Sequence, residues 1–272
     1  MVEKKILPVE DTKTMAELVK KRSAKNINIS VVVPFNNEES NVEILYSRLK
    51  DTLLSINVNY ELIFIDDGSK DKTFDKLCEI YNKDDTINII RLNRNFGQAI
   101  ALLAGFKFAC GDIVITLDGD LQHDPCDIPR LLEAMDQGYD IVNGWKREWT
   151  ENFLTRKLPS LVAKRLIRSI FGIKLQDISS TFKAYRRELI KDINLYGELH
   201  RFIPLLIRGN KVSIYEIEIK CHKRQYGRTH YGFNRVIRVI IDIFILWFKR
   251  KDILLSKPYM PNYSIAEIKS HL

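Results

Sequence analysis

Apolar residues alternate between two spacings along the first half of this chain. Ile29-Ser-Val-Val-Val-Pro34 is a β-branched run stopped by proline, the signature of a buried strand. Val42, Leu45, Leu49 and Leu53 then recur at helical spacing, and Ser40-Asn-Val-Glu43 has the spacing of a capping box at the helix start. Strands are predicted again over Leu62–Ile65, Ile87–Leu92, Ile113–Leu117 and Ile141–Asn143. Between them lie helices carrying Phe74, Leu77 and Tyr81, an apolar one over Gly97–Ala109, and one starting at Asp127 and Pro129 and ending by Gly138. Strands alternating with helices of this length imply βαβ units, hence an α/β fold around a mostly parallel sheet.

Two of these strands run into acidic turns. Leu62–Ile65 is followed by Asp66-Asp67-Gly68-Ser69, and Ile113–Leu117 by Asp118-Gly119-Asp120, with Gln122 and Asp124 just beyond. A lone acidic turn is ordinarily a solvated connection. Two of them after strands of one parallel sheet are aimed at one edge, the carboxyl edge where such sheets bind ligands. Carboxylates one residue apart suit Mg²⁺ or Mn²⁺ carrying a diphosphate, because Mg²⁺ takes one or two carboxylates and leaves the remaining positions to water and phosphate oxygens. His123 adjoins this group and is expected to face outward.

Beyond Trp145 the pattern changes. Lys157–Phe171 reads as an amphipathic basic helix, followed by a segment from Gln176 and Asp177 to Arg187, a helix through Ile190, another at His200–Ile207, and a strand-like run at Val212–Ile219. A basic, glycine-containing loop spans residues 222–232, and an amphipathic helix is predicted over Phe233–Phe248. Residues 1–28 are polar and lysine-rich, a peripheral extension with one short helix near Thr14–Arg22. The expected organisation is this extension, a domain over 29–232 with a donor part (29–145) and an acceptor part (146–232), and a helical, membrane-interfacial region over 233–272.

Composition narrows the partners. The 272 residues carry a formal net charge of +8, which favours anionic partners. The four cysteines are scattered, with no C-x-x-C pair, which argues for a reducing compartment. The first residues lack the apolar core of a signal peptide. The longest membrane-like run, Val236–Phe248, contains Arg238 and Asp242 and falls short of the roughly 20 residues needed to span a bilayer. No nucleic-acid motif is present.

Several motifs follow one another in a recognisable order: Val33-Pro34-Phe35-Asn36-Asn37-Glu38-Glu39, Asp66-Asp67-Gly68-Ser69, Arg94-Asn95-Phe96-Gly97-Gln98 and Asp118-Gly-Asp-Leu-Gln122. Together they resemble family-2 glycosyltransferases, in particular the polyprenyl-phosphate sugar transferases such as dolichol-phosphate mannose synthases and bactoprenol glucosyltransferases. The resemblance covers about residues 29–250 and continues through Asp177–Arg187, Glu198–Pro204 and the loop from Arg224 to Tyr231. It implies the GT-A fold, a Rossmann-like sheet with the D-x-D near its centre, and inverting transfer of a sugar from a UDP or GDP donor to a polyprenyl phosphate.

Carried onto this chain, Pro34, Asn37, Glu38, Asp66, Asp67, Arg94 and Asp118 match the nucleotide-sugar site. Asp118, Asp120 and Gln122 match the metal–diphosphate group, with Mg²⁺ or Mn²⁺ as the implied cofactor. Asp120 and Asp177 are the catalytic candidates. Asp177 resembles the acceptor-side aspartate, and a plain turn cap stays an open reading of it. Arg224, Arg228 and His230 are candidates for the acceptor phosphate, although relatives carry Gly-x-Ser-Lys-Tyr where this chain has Thr229 and His230. The implied partners are a nucleoside-diphosphate sugar, a polyprenyl phosphate and the membrane surface, with a membrane-spanning protein as a further candidate, and the expected location is the inner face of the cell membrane. Two alternatives remain at this point: a transferase with a hydroxyl acceptor and Asp177 as base, and a non-catalytic basic module with a degenerate transferase fold.

Overall fold

The computed structural model describes residues 18–22, 26–146, 165, 175–178, 180–195, 197, 199–207, 212–222 and 263–271. In chain order the main elements are β1 (Ile29–Phe35), α1 (Val42–Ser55), β2 (Tyr60–Asp66), α2 (Thr73–Tyr81), β3 (Ile87–Leu92), α3 (Gln98–Phe108), β4 (Ile113–Thr116), α4 (Ile128–Asp136) and β5 (Ile141–Lys146). They continue with β6 (Lys183–Arg186), α5 (Arg187–Ile190), α6 (Ile203–Ile207), β7 (Ile214–Ile219) and β8 (Ile265–Lys269). The predicted basic helix at 157–171 (Arg165 apart), the loop from residue 223 and the helix at 233–248 lie outside the described residues.

All eight strands join one sheet in the order β7-β5-β6-β4-β1-β2-β3-β8. β1 pairs parallel with both β2 and β4, and β2 parallel with β3. The antiparallel members are β6, inserted between β4 and β5, and β8, laid along β3. The sheet is buried on both faces, which is why its central strands read as continuous apolar runs. Val31, Val33, Phe35, Leu62 and Phe64 pack on one face against Leu45, Leu49 and Leu53 of α1 and Leu77 of α2. Val32, Ile63, Ile65 and Ile90 pack on the other against α3 and residues 199–206. α3 is buried on nearly all sides, and it lies so close to β1 that a Cβ on Gly105 would sit 2.4 Å from a Val32 methyl.

Several expectations need correction. The capping box does not form: α1 starts after Asn41, which makes no side-chain cap, and the Asn41 amide instead donates to Glu38 at 2.5 Å. β6 and β8 are strands where none was predicted, and residues 265–269 return to the sheet rather than extending a helical region. The N-terminal helix is more than peripheral, since Leu18 and Arg22 are buried. Among the described residues no helix is long and apolar enough to cross a membrane.

Arg22 reaches a buried charge network at the amino edge of the sheet. Its guanidinium pairs with Glu61, donates to the Phe108 carbonyl at 2.9 Å and lies 3.9 Å over the Phe108 ring. Glu61 also accepts from Ser30 Oγ and from the Cys110 amide. Breaking one member of such a buried pair strands the other charge. Glu61→Gln should therefore lower stability by about 3–5 kcal/mol in urea denaturation, and adding Arg22→Met should recover a large part of that loss.

Candidate functional site

β1, β2, β3 and β4 are mutually parallel, so the turns after them converge on one edge. The order β3-β2-β1-β4 places the reversal of connection between β1 and β4, the crevice where doubly wound sheets bind ligands. Asp118–Asp120 leaves β4 on one side of that crevice, and Pro34–Glu38 leaves β1 on the other. The two turns are in contact. A Cβ on Gly119 would sit 2.6 Å from the Phe35 ring and 3.0 Å from the Pro34 carbonyl oxygen, so only glycine lets them close. Leu121, next in the acidic turn, has φ +62°, a left-handed conformation that costs an ordinary side chain about 1–2 kcal/mol. Strain held at a turn between two acidic residues and Gln122 is the kind that marks functional sites.

Asp118 is half-buried and accepts from Gln98 Nε2 at 2.5 Å. Gln98 is the first residue of α3 and the last of the Arg94–Gln98 motif, yet it was not among the predicted site residues. Asp120 is also half-buried, and its Oδ1 accepts from the Gln122 amide at 3.1 Å. Among the described residues no group of three or more His, Cys, Asp or Glu side chains forms a ready-made metal cage. Two half-buried carboxylates one residue apart at the crevice fit a cation that takes few protein ligands and completes its shell with phosphate oxygens and water.

The acidic turn after β2 is built differently. Asp66 is fully buried, accepts from the Ser69 amide at 3.1 Å and lies 3.3 Å from Arg91 Nε across β3. Asp67 accepts from the amides of Phe96 and Gly97 at 2.7 and 2.9 Å. Burial pushes both carboxyls above the usual range, opposed by these hydrogen bonds. Both side chains are thus turned into the protein, where they shape the loops that wall the crevice. Gly68 (φ +64°) is required there, since any Cβ would meet the Arg94 backbone at 2.3 Å. Arg94 itself is exposed on the rim, over the Phe96 ring.

Asn37 (φ +56°) and Glu38 tie the first motif to the second. The Asn37 amide donates to Ser69 Oγ, Asn37 Oδ1 accepts from the Lys70 amide, and the Glu38 amide donates to Thr73 Oγ1. The V-P-F-N-N-E pattern is therefore a bracket between β1 and the turn after β2.

His123 contradicts its expected outward placement. It is buried, its ring lies 5.5 Å from that of Phe182, and a β-bridge pairs it with Cys221. Burial pushes its pKa down, opposed by the charges of Asp118 and Asp177. Asp177 comes from the distant segment before β6, which is tied to β4 where Thr116 Oγ1, two residues before Asp118, donates to the Thr181 carbonyl. Arg224, Arg228 and His230 lie outside the described residues. The chain approaches them through His222, whose amide donates to the Gln122 carbonyl at 2.9 Å and whose ring contacts Asp124 at 3.2 Å.

With this geometry in place, the profile of glycosyl transferase family 2 matches residues 30–193. The chain belongs to glycosyl transferase family 2. Among family members, it is 38% identical over 228 residues to a dodecaprenyl-phosphate galacturonate synthase of Rhizobium johnstonii, covering 82% of this chain and 68% of the relative. It is 37% identical over 217 residues to an undecaprenyl-phosphate 4-deoxy-4-formamido-L-arabinose transferase of Pectobacterium atrosepticum, covering 79% of this chain and 66% of the relative. The matched part thus spans about two thirds of these relatives' length. The fold is shared with glucosyl-3-phosphoglycerate synthase of Mycobacterium tuberculosis, crystallised with Mn²⁺, UDP and glucosyl-3-phosphoglycerate. The TM-score is 0.63 at 21% identity, over 88% of this chain and 85% of that one. A form of the same synthase with Mg²⁺ and UDP gives a TM-score of 0.60 at 24% identity, over 84% and 83%. The family-2 chain thus has the GT-A fold.

Two outcomes follow from the site's construction. Asp67→Ala leaves the Phe96 and Gly97 amides without their acceptor; amide exchange at both should accelerate, and stability should fall by about 1–3 kcal/mol. His200 is buried, and burial, reinforced by the charges of Arg201 and Lys183, pushes its pKa down from 6.5 to about 3. The unfolded chain then binds a proton that the folded chain refuses. Stability contributed by the neutral ring is complete above pH 6.5 and is lost as pH falls from there toward 3, by up to about 1.4 kcal/mol per pH unit. His200→Gln should flatten that part of the acid-denaturation curve.

Proposed function

We propose that this family-2 chain transfers a sugar, with inversion, from a UDP- or GDP-sugar to a polyprenyl phosphate at the inner membrane surface. The observation that carries the reading is the strained Asp118–Asp120 turn, closed against Pro34 and Phe35 at the crevice between β1 and β4. The acceptor class is supported by the names of the two relatives, both of which act on polyprenyl phosphates. Peripheral contact with the membrane suits a net charge of +8 and the amphipathic pattern of residues 233–248.

Each group then has a task. Asp118, held by Gln98, and Asp120, held in the strained turn, would bind Mg²⁺ or Mn²⁺ with Gln122 beside them. Such a cation, when bound, offsets the negative charge that builds on the departing nucleoside diphosphate. Asn37, Glu38, Asp66, Asp67 and Arg94 define the walls that receive the nucleotide. An acceptor phosphate is already ionised near neutral pH, so it needs positioning more than a general base. The basic stretch containing Arg224, Arg228 and His230 begins just after His222, which is bonded to Gln122, and would bring cations to that phosphate beside the donor.

A second reading replaces the lipid phosphate by a hydroxyl acceptor. Assays of transfer from a panel of UDP- and GDP-sugars, with Mn²⁺ and with or without a short polyprenyl phosphate, separate the two. The first reading expects product only when the lipid phosphate is present. Asp120→Ala should reduce transfer by at least about 10²–10³-fold with an unchanged unfolding midpoint; full activity of that variant at saturating donor would sink the metal assignment.

A further inference from the structure

A row of polar side chains crosses the interior of the sheet directly beneath the acidic turn. Thr116 of β4 pairs with Lys183 of β6, Lys183 with Asn143 of β5, and Asn143 with Glu216 of β7. Cross-strand partners share a face, so the four side chains form one line. Asn143 and Lys183 are fully buried, Thr116 nearly so, and Glu216 is half-buried. Thr116 lies two residues before Asp118.

All four bond to the backbone of one segment. Glu216 accepts from the amides of Gln176 and Asp177 at 2.6 and 3.3 Å. Asn143 Nδ2 donates to the Asp177 carbonyl at 2.6 Å and to Glu216 at 2.7 Å. Lys183 Nζ donates to the Ile178 carbonyl at 3.2 Å, and Thr116 Oγ1 to the Thr181 carbonyl at 2.5 Å. Side chains from four strands thus fix the main chain on both sides of the Asp177 carboxylate.

A burial of this kind is costly for stability alone. Removing an ammonium from water costs several kcal/mol even after relaxation, and a packed apolar row of equal volume is commonly as stable or more so. Burial pushes Lys183 down to about 8, with the charges of Asp177 and Asp118 drawing it back up and Arg201 pushing it further down. What the row supplies, and an apolar row would not, is a fixed place for Asp177.

We propose that Thr116, Asn143, Lys183 and Glu216 are positioning residues that hold Asp177 beside Asp118 and Asp120 for the transfer step. Its catalytic consequence rests on the function proposed above; the positioning itself does not. Lys183 has a double part, pinning Ile178 and, from its fully buried position, offsetting the combined negative charge of Asp177, Asp118 and Glu216.

Two measurements test this. Amide exchange at Gln176 and Asp177 should accelerate at least about tenfold in Glu216→Gln; unchanged exchange overturns the positioning role. In the transfer assay, Lys183→Met and Asn143→Ala should each lower kcat about 10²-fold, with affinity for UDP in the presence of Mn²⁺ within about threefold of wild type by calorimetry. A residue acting through Asp177 has nothing further to lose once Asp177 is disabled. Lys183→Met added to Asp177→Asn should therefore transfer no more slowly than Asp177→Asn alone, whereas multiplied losses overturn the proposal. Wild-type kcat in Asp177→Asn overturns it too. Where Lys183→Met fails to fold, Asn143→Ser carries the same double-variant comparison. A wild-type chain that transfers no sugar would refute the proposed function, and the exchange result would still decide whether the row positions Asp177.

Discussion

The parallel register of β1 with both of its neighbours is the constraint on which the rest depends. β1 pairs with β2 through Phe35 and Asp66 and with β4 through Val32 and Thr116, so all three strands release their chains at one edge. Both acidic turns and the Pro34–Glu38 loop are mounted there. Because β1 also lies at the reversal of strand order, the loops on its two sides diverge and leave a crevice. Gly119 then lets the acidic turn close against Pro34 and Phe35. A side chain at that position would separate the two walls of the crevice.

Polar groups near this edge divide into those buried in the loops and those partly exposed at the crevice. Asp66 and Asp67 belong to the first kind. Their carboxylates satisfy amides of Ser69, Phe96 and Gly97, and burial without those bonds would be prohibitive. Asp118 and Asp120 are less buried and precede Leu121, the left-handed residue of the turn. The row from Thr116 to Glu216 spends buried polarity on holding one distant aspartate. The chain entering β8 adds a further brace after β3, with Ser264 bonded to Asn93 just before Arg94.

Much of this was legible in the chain. The apolar periodicities located β1 to β5 and the helices between them closely, because parallel strands buried on both faces and amphipathic helices leave strong, local signals. The two acidic turns and their common edge followed from the same pattern. β6 was hidden because Lys183-Ala-Tyr-Arg186 is short and has a lysine at a fully buried position, and β8 because it is a short edge strand far along the chain from its partner. His123 was misplaced since nothing local shows that Cys221 pairs with it and Phe182 covers it.

The order of residues alone specifies the alternation of strands and helices, the placing of two carboxylate pairs at strand ends, and, through ordered motifs, the family. These are properties of contiguous stretches, in which spacing and residue type act within a few positions of each other. Only the tertiary structure decided which carboxylates are committed to loop amides and which remain at the crevice. It also decided that Asp177 is held by four side chains from four strands. Those outcomes depend on register between segments as much as 73 residues apart, and register is fixed by packing across the sheet rather than by any local pattern. The Asp118–Asp120 turn was visible from the start; the row of Thr116, Asn143, Lys183 and Glu216 beneath it exists only once the strands are side by side.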